Sequence, residues 1–279
     1  MSEATFHTPT VVLTIAGSDC SGGAGAQADL KVFQHFEIYG LSAITCVVAE
    51  TPREVGSVHP VPPEIVAEQV SMLLRTYPVA AVKTGMLYSR AHIEAVAGAL
   101  DGYAGPLVVD PVMMASTGDP LIEPEAIDAY RTLLFPKAAV ITPNLDEAAE
   151  LVGRKLKSQQ DMEEAAAQLH KEFGVPVVIK GGHLKTKECH DLLYEKEHHV
   201  TWMEGPRIDT PASHGTGCSF AAALAAGLAE GMPLGDAVTR AKWFLLFALQ
   251  QSLVWKDGEG KSVHAINQDP AEFEDALDG

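Results

Sequence analysis

Short apolar runs alternate with helix-like segments along most of the chain. The first run, Val11-Val12-Leu13-Thr14-Ile15-Ala16, is apolar and partly β-branched, the signature of a strand covered on both faces. A glycine-rich turn, Gly17-Ser18-Asp19-Cys20-Ser21-Gly22-Gly23-Ala24-Gly25, follows it. A helix comes next, with Ala28, Leu30, Val32, Phe33 and Phe36 at its apolar positions and Tyr39-Gly40 closing it. Leu41 to Ala49 reads as a second buried strand, broken by Glu50-Thr51-Pro52-Arg53-Glu54. The same alternation predicts a helix from Pro62-Pro63 through Leu74, a strand over Val79–Lys83, a helix over 89–100 and a strand from Pro106 to Val109. A loop with Ser116, Gly118 and Pro120 then leads to a helix over 123–134. Ala138–Ile141 is a strand, two helices follow near 145–152 and 159–173, and Pro176–Lys180 is a further strand.

From 189 to 209 the pattern changes. Asp191–Tyr194 and His199–Met203 read as antiparallel strands separated by the charged turn Glu195-Lys196-Glu197. Ser213-His214-Gly215-Thr216-Gly217-Cys218-Ser219 enters an Ala/Leu-rich helix, and a long amphipathic helix covers 234–254. The tail from Lys256 is expected to be loose apart from Val263–Ile266, as are the polar ends 1–9 and 268–279. Strands alternating with helices predict one α/β domain over 1–279, a mostly parallel sheet covered on both faces with a small antiparallel edge.

Composition narrows the partners. The 279 residues are 47% hydrophobic, enough for one large core. The formal net charge is −17 with no basic stripe, which argues against nucleic acid and anionic membrane surfaces. The four cysteines (Cys20, Cys46, Cys189 and Cys218) form no CxxC pair, so a disulfide or zinc framework is not expected and a reducing cytoplasm is. No apolar run reaches the ~18 residues of a membrane span, and Met1–Pro9 lacks the apolar core of a signal peptide.

The chemistry-bearing residues gather at predicted strand ends: Asp19, Glu50, Lys83, Asp110, Asn144 and Lys180. In open parallel sheets ligands sit at the carboxyl ends of the strands, so these positions point to one composite site. Gly215-Thr216-Gly217 at a helix start offers backbone N–H groups to an anion, with the Cys218 thiol on its rim. A helix N-terminus also lowers a thiol pKa, although a free cysteine is commonly a small buried hydrophobe. Each other residue has a plain structural alternative. Asn144 and Glu147 have the spacing of a capping box, Asp110 can cap a local turn, Asp29 can be an ordinary first-turn helix acid, and Lys180 can be solvated.

The motifs, taken together and in order, resemble the hydroxymethylpyrimidine/phosphomethylpyrimidine kinases of the ribokinase-like superfamily. They are Ala16-Gly17-Ser18-Asp19, Ser21–Gly25, Gln27–Lys31, Lys83-Thr84-Gly85-Met86-Leu87, Asp110-Pro111-Val112-Met113, Thr142-Pro143-Asn144-Leu145 with Glu147-Ala148, Lys180-Gly181-Gly182-His183, and His214–Cys218. The resemblance runs from residue 11 to about 250. It implies a ribokinase-like three-layer α/β/α sandwich and an ATP- and Mg²⁺-dependent kinase. Its substrates would be 4-amino-5-hydroxymethyl-2-methylpyrimidine and its monophosphate, in thiamine biosynthesis, and it would act as a homodimer.

The resemblance also implies roles. Gly215, Thr216, Gly217, Cys218 and Lys180 would be catalytic, with Cys218 as base or as orienter of the substrate hydroxyl. Lys180, Asn144 and Thr216 would meet ATP. Glu147, Asn144 and Asp110 would organise Mg²⁺ through water, which suits an ion that keeps several waters. Gly17, Asp29, Glu50 and Met86 would contact the ring. Residue 50 departs from the family's usual glutamine; an ionised glutamate accepts hydrogen bonds and donates none. A protonated Glu50 or a protonated ring restores the missing donor, which predicts pH-dependent binding of a pyrimidine. A pyridoxal/pyridoxine kinase of the same family is the alternative. A non-catalytic pyrimidine-binding regulator would be expected to lose Lys180, Cys218 or the Asn144/Glu147 pair, and all are present. A cysteine hydrolase using His214 as base would leave the phosphate-site residues unexplained.

Overall fold

A computed structural model describes residues 7–114, 122–123, 125–182, 188–196 and 199–271. The apolar runs pair as strands β1 (Val11–Asp19), β2 (Tyr39–Thr51), β3 (Glu54–Pro60), β4 (Val79–Thr84), β5 (Leu107–Val109), β6 (Val140–Ile141), β7 (Val177–Ile179), β8 (Glu188–Lys196) and β9 (His199–Pro206). They form one nine-stranded sheet in the order β3-β2-β1-β4-β5-β6-β7-β8-β9. β2, β1, β4, β5, β6 and β7 are mutually parallel, while β3 at one edge and β8 and β9 at the other run antiparallel. The helices are α1 (Gly25–His35), α2 (Pro63–Thr76), α3 (Arg90–Ala99), α4 (Ala126–Ala129), α5 (Leu145–Val152), α6 (Gln159–Phe173), α7 (Thr216–Ala229) and α8 (Leu234–Gln250).

Strand alternation builds the three layers. Val11, Leu13, Ile15, Val82, Val109, Ile141 and Ile179 pack against α2, α3, α4, α5 and α6 on one face. Val12, Ala81, Val108, Val140 and Val178 pack against α1, α7 and α8 on the other. The Ala-rich stretch Ala221–Ala226 of α7 is fully buried, and its small side chains let α1, α8 and the sheet approach closely. Capping chemistry sets several helix ends. Asn144 opens α5 and Ser158 opens α6, while Gly153 and Gly174 close the same helices in the left-handed conformation at φ 70° and 71°.

The chain order reverses between β1 and β4, which both border the middle of the sheet. That arrangement opens a crevice at the carboxyl ends of these strands. Asp19, Glu50, Lys83, Asp110, Asn144 and Lys180 all lie at that end.

Several expectations are corrected. Tyr39-Gly40 does not close α1 but opens β2, paired with Val11 and Val12, because the helix has already ended at His35. Residues 54–60 form the edge strand β3, whose exposed, polar face hid its period. Within 123–134 the α-helix covers Ala126–Ala129 and passes into a π-helical turn at Tyr130–Leu134. The last helix stops at Gln250, and a hairpin of β10 (Leu253–Lys256) and β11 (Ser262–Ala265) follows. That hairpin orders residues 256–262, where a loose tail was expected, and its second strand falls on the ordered stretch expected at Val263–Ile266. Beyond it Ile266 and Gln268 are buried, and Gln268 donates to the Gly23 carbonyl at 3.0 Å. The loop with Ser116, Gly118 and Pro120, residue Glu197, His183 and the ends 1–6 and 272–279 lie outside the described residues.

Candidate active site

The site is assembled from strand ends and two helix starts. At the first, Asp19 ends β1 and its carboxylate gathers the glycine-rich turn. Oδ1 accepts from Ser21 N at 2.7 Å, and Oδ2 accepts from Gly23 N at 3.1 Å, Ala24 N at 2.8 Å and the Ser21 hydroxyl at 2.9 Å. The His214 ring also reaches Oδ2, with Nε2 at 2.9 Å. Burial opposes the Asp19 charge, but His214 and the turn donors outweigh it and hold the carboxyl below its ordinary range. This clasp ties the turn before α1 to the turn before α7.

Glycine is required where the two turns touch. A Cβ on Gly215, at φ +83°, would lie 1.9 Å from the Gly23 carbonyl oxygen. A Cβ on Gly25, at φ +60°, would lie 2.4 Å from the Gly17 oxygen. The first N–H groups of α7 belong to no intrahelical bond by the geometry of a helix start. Thr216 N turns to the Ser213 carbonyl at 3.3 Å, which leaves the Gly217 and Cys218 amides at the mouth of the helix.

Beside that mouth stands a buried charge cluster. Lys180 bridges to Asn144 across the strand ends, and its ammonium donates to Asp110 Oδ1 at 2.7 Å. Thr142 donates to the same oxygen at 3.0 Å. A Cβ on Gly217 would lie 3.2 Å from Lys180 Nζ and 3.7 Å from Asp110 Oδ2, so the glycine loop and this pair are immediate neighbours. Burial opposes the Lys180 charge, yet Asp110 and Glu147 raise its pKa overall. Asn144 and Glu147 do form the capping box: Asn144 Oδ1 accepts from the N–H groups of Asp146 and Glu147 at 2.9 Å, and Glu147 Oε2 accepts from Asn144 N at 2.8 Å. Burial pushes the Glu147 carboxyl up to about 7; Lys180 opposes the rise and Asp110 adds to it. Asp110 is a partner of Lys180, not the turn cap that was its structural alternative.

The other wall of the crevice is built on β1, β2 and β4. A Cβ on Gly17 would lie 2.8 Å from Cys46 Sγ and 3.4 Å from Met86 Sδ, so these three form one surface. Cys46, Val48 and Met86 make a small apolar cluster flanked by Tyr88 and Val112. Glu50, near the end of β2, has its carboxyl within 4.8 Å of groups on Asp19 and His214. Burial and the Asp19 charge raise its pKa, with His214 opposing.

Asp29 is not the first-turn helix acid that was its structural alternative. It is fully buried in α1, where Oδ2 accepts from the Lys83 ammonium at 2.8 Å and the Thr14 hydroxyl at 2.6 Å. Its Oδ1 is buried with no hydrogen-bond partner. Lys83 is equally buried; burial works against its charge, but Asp29, and then Cys218 and Asp110, keep it protonated and raise its pKa. Cys218 is the second correction. Despite the helix start, burial pushes its thiol up to about 11; Lys83 and the Gly25 N–H work against the rise, and Asp29 and Asp110 add to it. His214 Nε2 is engaged by Asp19 at 2.9 Å, which turns that nitrogen away from service as a base to Cys218.

Two supporting groups escaped the sequence. Asp191 on β8 accepts from Gly181 N at 2.7 Å and from Lys242 of α8 at 2.8 Å, which fixes the turn after Lys180. Gln27 donates to Ser18 Oγ at 2.7 Å and accepts from Asp19 N at 3.0 Å. A charged residue inside an apolar strand, as at Asp191, was the available signal for the first. A cavity of ≈ 580 Å³ lined by Ser71, Arg75, Asp101 and Tyr103 lies by Val79, at the amino end of β4, and contains none of these groups.

A helix start with free backbone N–H groups beside a largely buried lysine and two buried carboxylates, on this three-layer fold, fits a ribokinase-like phosphotransferase. The chain belongs to the phosphomethylpyrimidine kinase family, whose pattern matches residues 19–263. It is 43% identical to the hydroxymethylpyrimidine/phosphomethylpyrimidine kinase of Haemophilus influenzae over 91% of this chain and 96% of that protein. It is 41% identical to the thiamine biosynthesis bifunctional protein ThiED of Geobacter sulfurreducens over 91% of this chain, which spans 52% of that longer protein. The pyridoxine kinase of Bacillus subtilis is 40% identical over 91% of this chain and 95% of its own length. Among solved structures, an ADP complex of Bacillus subtilis pyridoxal kinase superposes with a TM-score of 0.85 at 38% identity, covering 94% of this chain and 98% of that one. The phosphomethylpyrimidine kinase of Clostridium difficile gives 0.75 at 35% identity, covering 85% and 97%.

Proposed function

We propose that this kinase transfers the γ-phosphoryl group of ATP to the hydroxymethyl oxygen of 4-amino-5-hydroxymethyl-2-methylpyrimidine, and then to the resulting monophosphate. The observation that carries the reading is the meeting of the Gly215–Cys218 helix start with the Lys180–Asp110 pair at the strand ends. The Gly217 and Cys218 amides bind the phosphoryl oxygens, and Lys180 neutralises charge as it moves onto the leaving phosphate. Gly17, Cys46 and Met86 hold the flat ring, with Glu50 at its edge. The Cys218 thiol, kept protonated near neutral pH by burial, orients the hydroxyl; with a loose transition state the hydroxyl proton leaves late, to a phosphoryl oxygen.

The donor set at Asp110 and Glu147 is all oxygen and suits Mg²⁺. Both carboxylates are buried and repel each other, and backbone N–H groups already engage both Glu147 oxygens, which favours binding through water. Mg²⁺ held by Asp110, Asn144 and Glu147 would shield the charge of the nucleotide phosphates. A homodimer belongs to the same reading and is read by sedimentation.

The test is transfer of labelled phosphate from ATP to the pyrimidine alcohol, assayed beside pyridoxal. Cys218→Ala is expected to lower kcat by ~10², and Cys218→Ser to recover part of the loss. Transfer to pyridoxal with none to the pyrimidine would overturn the substrate assignment. The superposition on pyridoxal kinases keeps that second reading in view.

A further inference from the structure

Glu50 is half-buried, and its carboxyl makes no hydrogen bond or ion pair with any described residue. Among the described residues no lysine or arginine is paired to it; Arg53, three residues on, is spent on Asp257 and the Ser262 carbonyl. The titratable groups that face Glu50 are Asp19 from β1, His214 from the turn before α7, Cys20, whose thiol donates to the Glu50 carbonyl at 3.2 Å, and Cys46 on its own strand. Asp19 is anionic and its Oδ2 already accepts from His214, Ser21, Gly23 and Ala24. A second negative charge at Glu50 is therefore opposed, yet a carboxylate is what the strand presents to the ring side.

Resting on the kinase reading, we propose that Glu50 selects the ring by its proton: the site takes an amino-azine edge, an exocyclic N–H beside a ring nitrogen, and binds it with one proton shared between that nitrogen and the Glu50 carboxyl. The complex holds the same atoms whether written as carboxylate with protonated ring or as carboxylic acid with neutral ring. In both, the amino group donates to one carboxyl oxygen and the proton lies between the other oxygen and the ring nitrogen. When the free carboxyl and the free ring are both unprotonated, that proton comes from solvent. Binding then takes up one proton per ring, and affinity falls tenfold for each unit rise in pH. Glutamine brings its own N–H donor and takes up none. A ring that presents a phenolate oxygen at this edge places acceptor against acceptor and is rejected.

The experiment titrates 4-amino-5-hydroxymethyl-2-methylpyrimidine into the whole protein by calorimetry at pH 7.5 and 8.5, in phosphate and in Tris, whose protonation heats differ. The parent is expected to take up close to one proton per ring at pH 8.5 and to bind about tenfold more weakly there than at pH 7.5. Glu50→Gln is expected to take up none and to change affinity less than about twofold over the same range. Proton-free binding by a parent that transfers labelled phosphate to this alcohol would overturn the proposal alone. If neither protein binds or phosphorylates the alcohol, the pyrimidine substrate assignment falls, and this proposal with it. The buffer comparison on the parent decides the matter even if the variant does not fold.

Discussion

Replacing Lys83 by methionine strands Asp29 in the core, and the cost follows from the geometry. Both groups are fully buried and the ammonium lies 2.8 Å from Asp29 Oδ2. Thr14 remains as the one donor to that oxygen, and Oδ1 has none. Breaking one side of a buried ion pair costs ~3–5 kcal/mol. The variant has one escape, which is to bury Asp29 as the neutral acid. Protonating a carboxyl whose ordinary pKa is 3.8 at pH 7 costs about 4 kcal/mol at 1.36 kcal/mol per unit, so both routes meet near the same figure.

The escape route also fixes a pH signature. In Lys83→Met the folded pKa of Asp29 is raised, so the stability the neutral acid contributes is full below the unfolded pKa and is lost as pH rises. The gap between parent and variant should therefore narrow as pH falls from 7, until the parent's own Asp29, whose pKa burial raises above 3.8 even beside Lys83, begins to protonate as well. Urea unfolding at several pH values, with an unchanged m-value, measures it. Asp29→Asn/Lys83→Met removes both charges and should recover most of the loss. A Lys83→Met penalty below about 1 kcal/mol, or one independent of pH, would refute the account of the pair.

Other expectations follow from the same geometry. Glu147 has a pKa raised from 4.5 to about 7, so the stability its neutral form contributes is full below pH 4.5 and erodes through about 7, by about 3 kcal/mol; Glu147→Gln should flatten thermal stability across that window, and an unchanged profile would contradict it. Gly215→Ala should lower kcat/KM by ~10², because the Cβ meets the Gly23 oxygen and the loop must shift by about an ångström. Gly231→Ala, at φ +80° with open space around it, should cost ~1–2 kcal/mol of stability and leave activity intact. Lys180→Met should reduce kcat by ~10²–10³ in a steady-state assay, and a loss confined to KM would mean that the lysine binds ground state and transition state alike.

Much of the fold was legible because its strands are apolar on both faces. Val11–Ala16 and Pro176–Lys180 announce themselves as continuous runs, and Asn144 with Glu147 marks a helix start through local hydrogen bonds alone. The edges were harder. Strand β3 is largely exposed and carries no apolar run, and the hairpin at 253–265 is stabilised by pairing with itself and by Arg53, some 200 positions earlier in sequence. Neither signal is local, so no window of sequence holds it.

For the site, residue types and strand-end positions were readable, and electrostatics were not. A cysteine at a helix start suggests a lowered thiol pKa, but in this protein burial, with Asp29 and Asp110 nearby, outweighs the helix start and drives it up. Nothing in the sequence around Asp29 announced that α1 packs it onto Thr14 and Lys83 from two strands. The sequence by itself determined the order of elements, the glycine turns and which polar groups stand at strand ends, because backbone geometry and periodicity act over a few residues. The tertiary structure decided who pairs with whom and which charges survive burial. Those depend on desolvation and on partners that only the sheet order β2-β1-β4-β5-β6-β7 brings within hydrogen-bond reach.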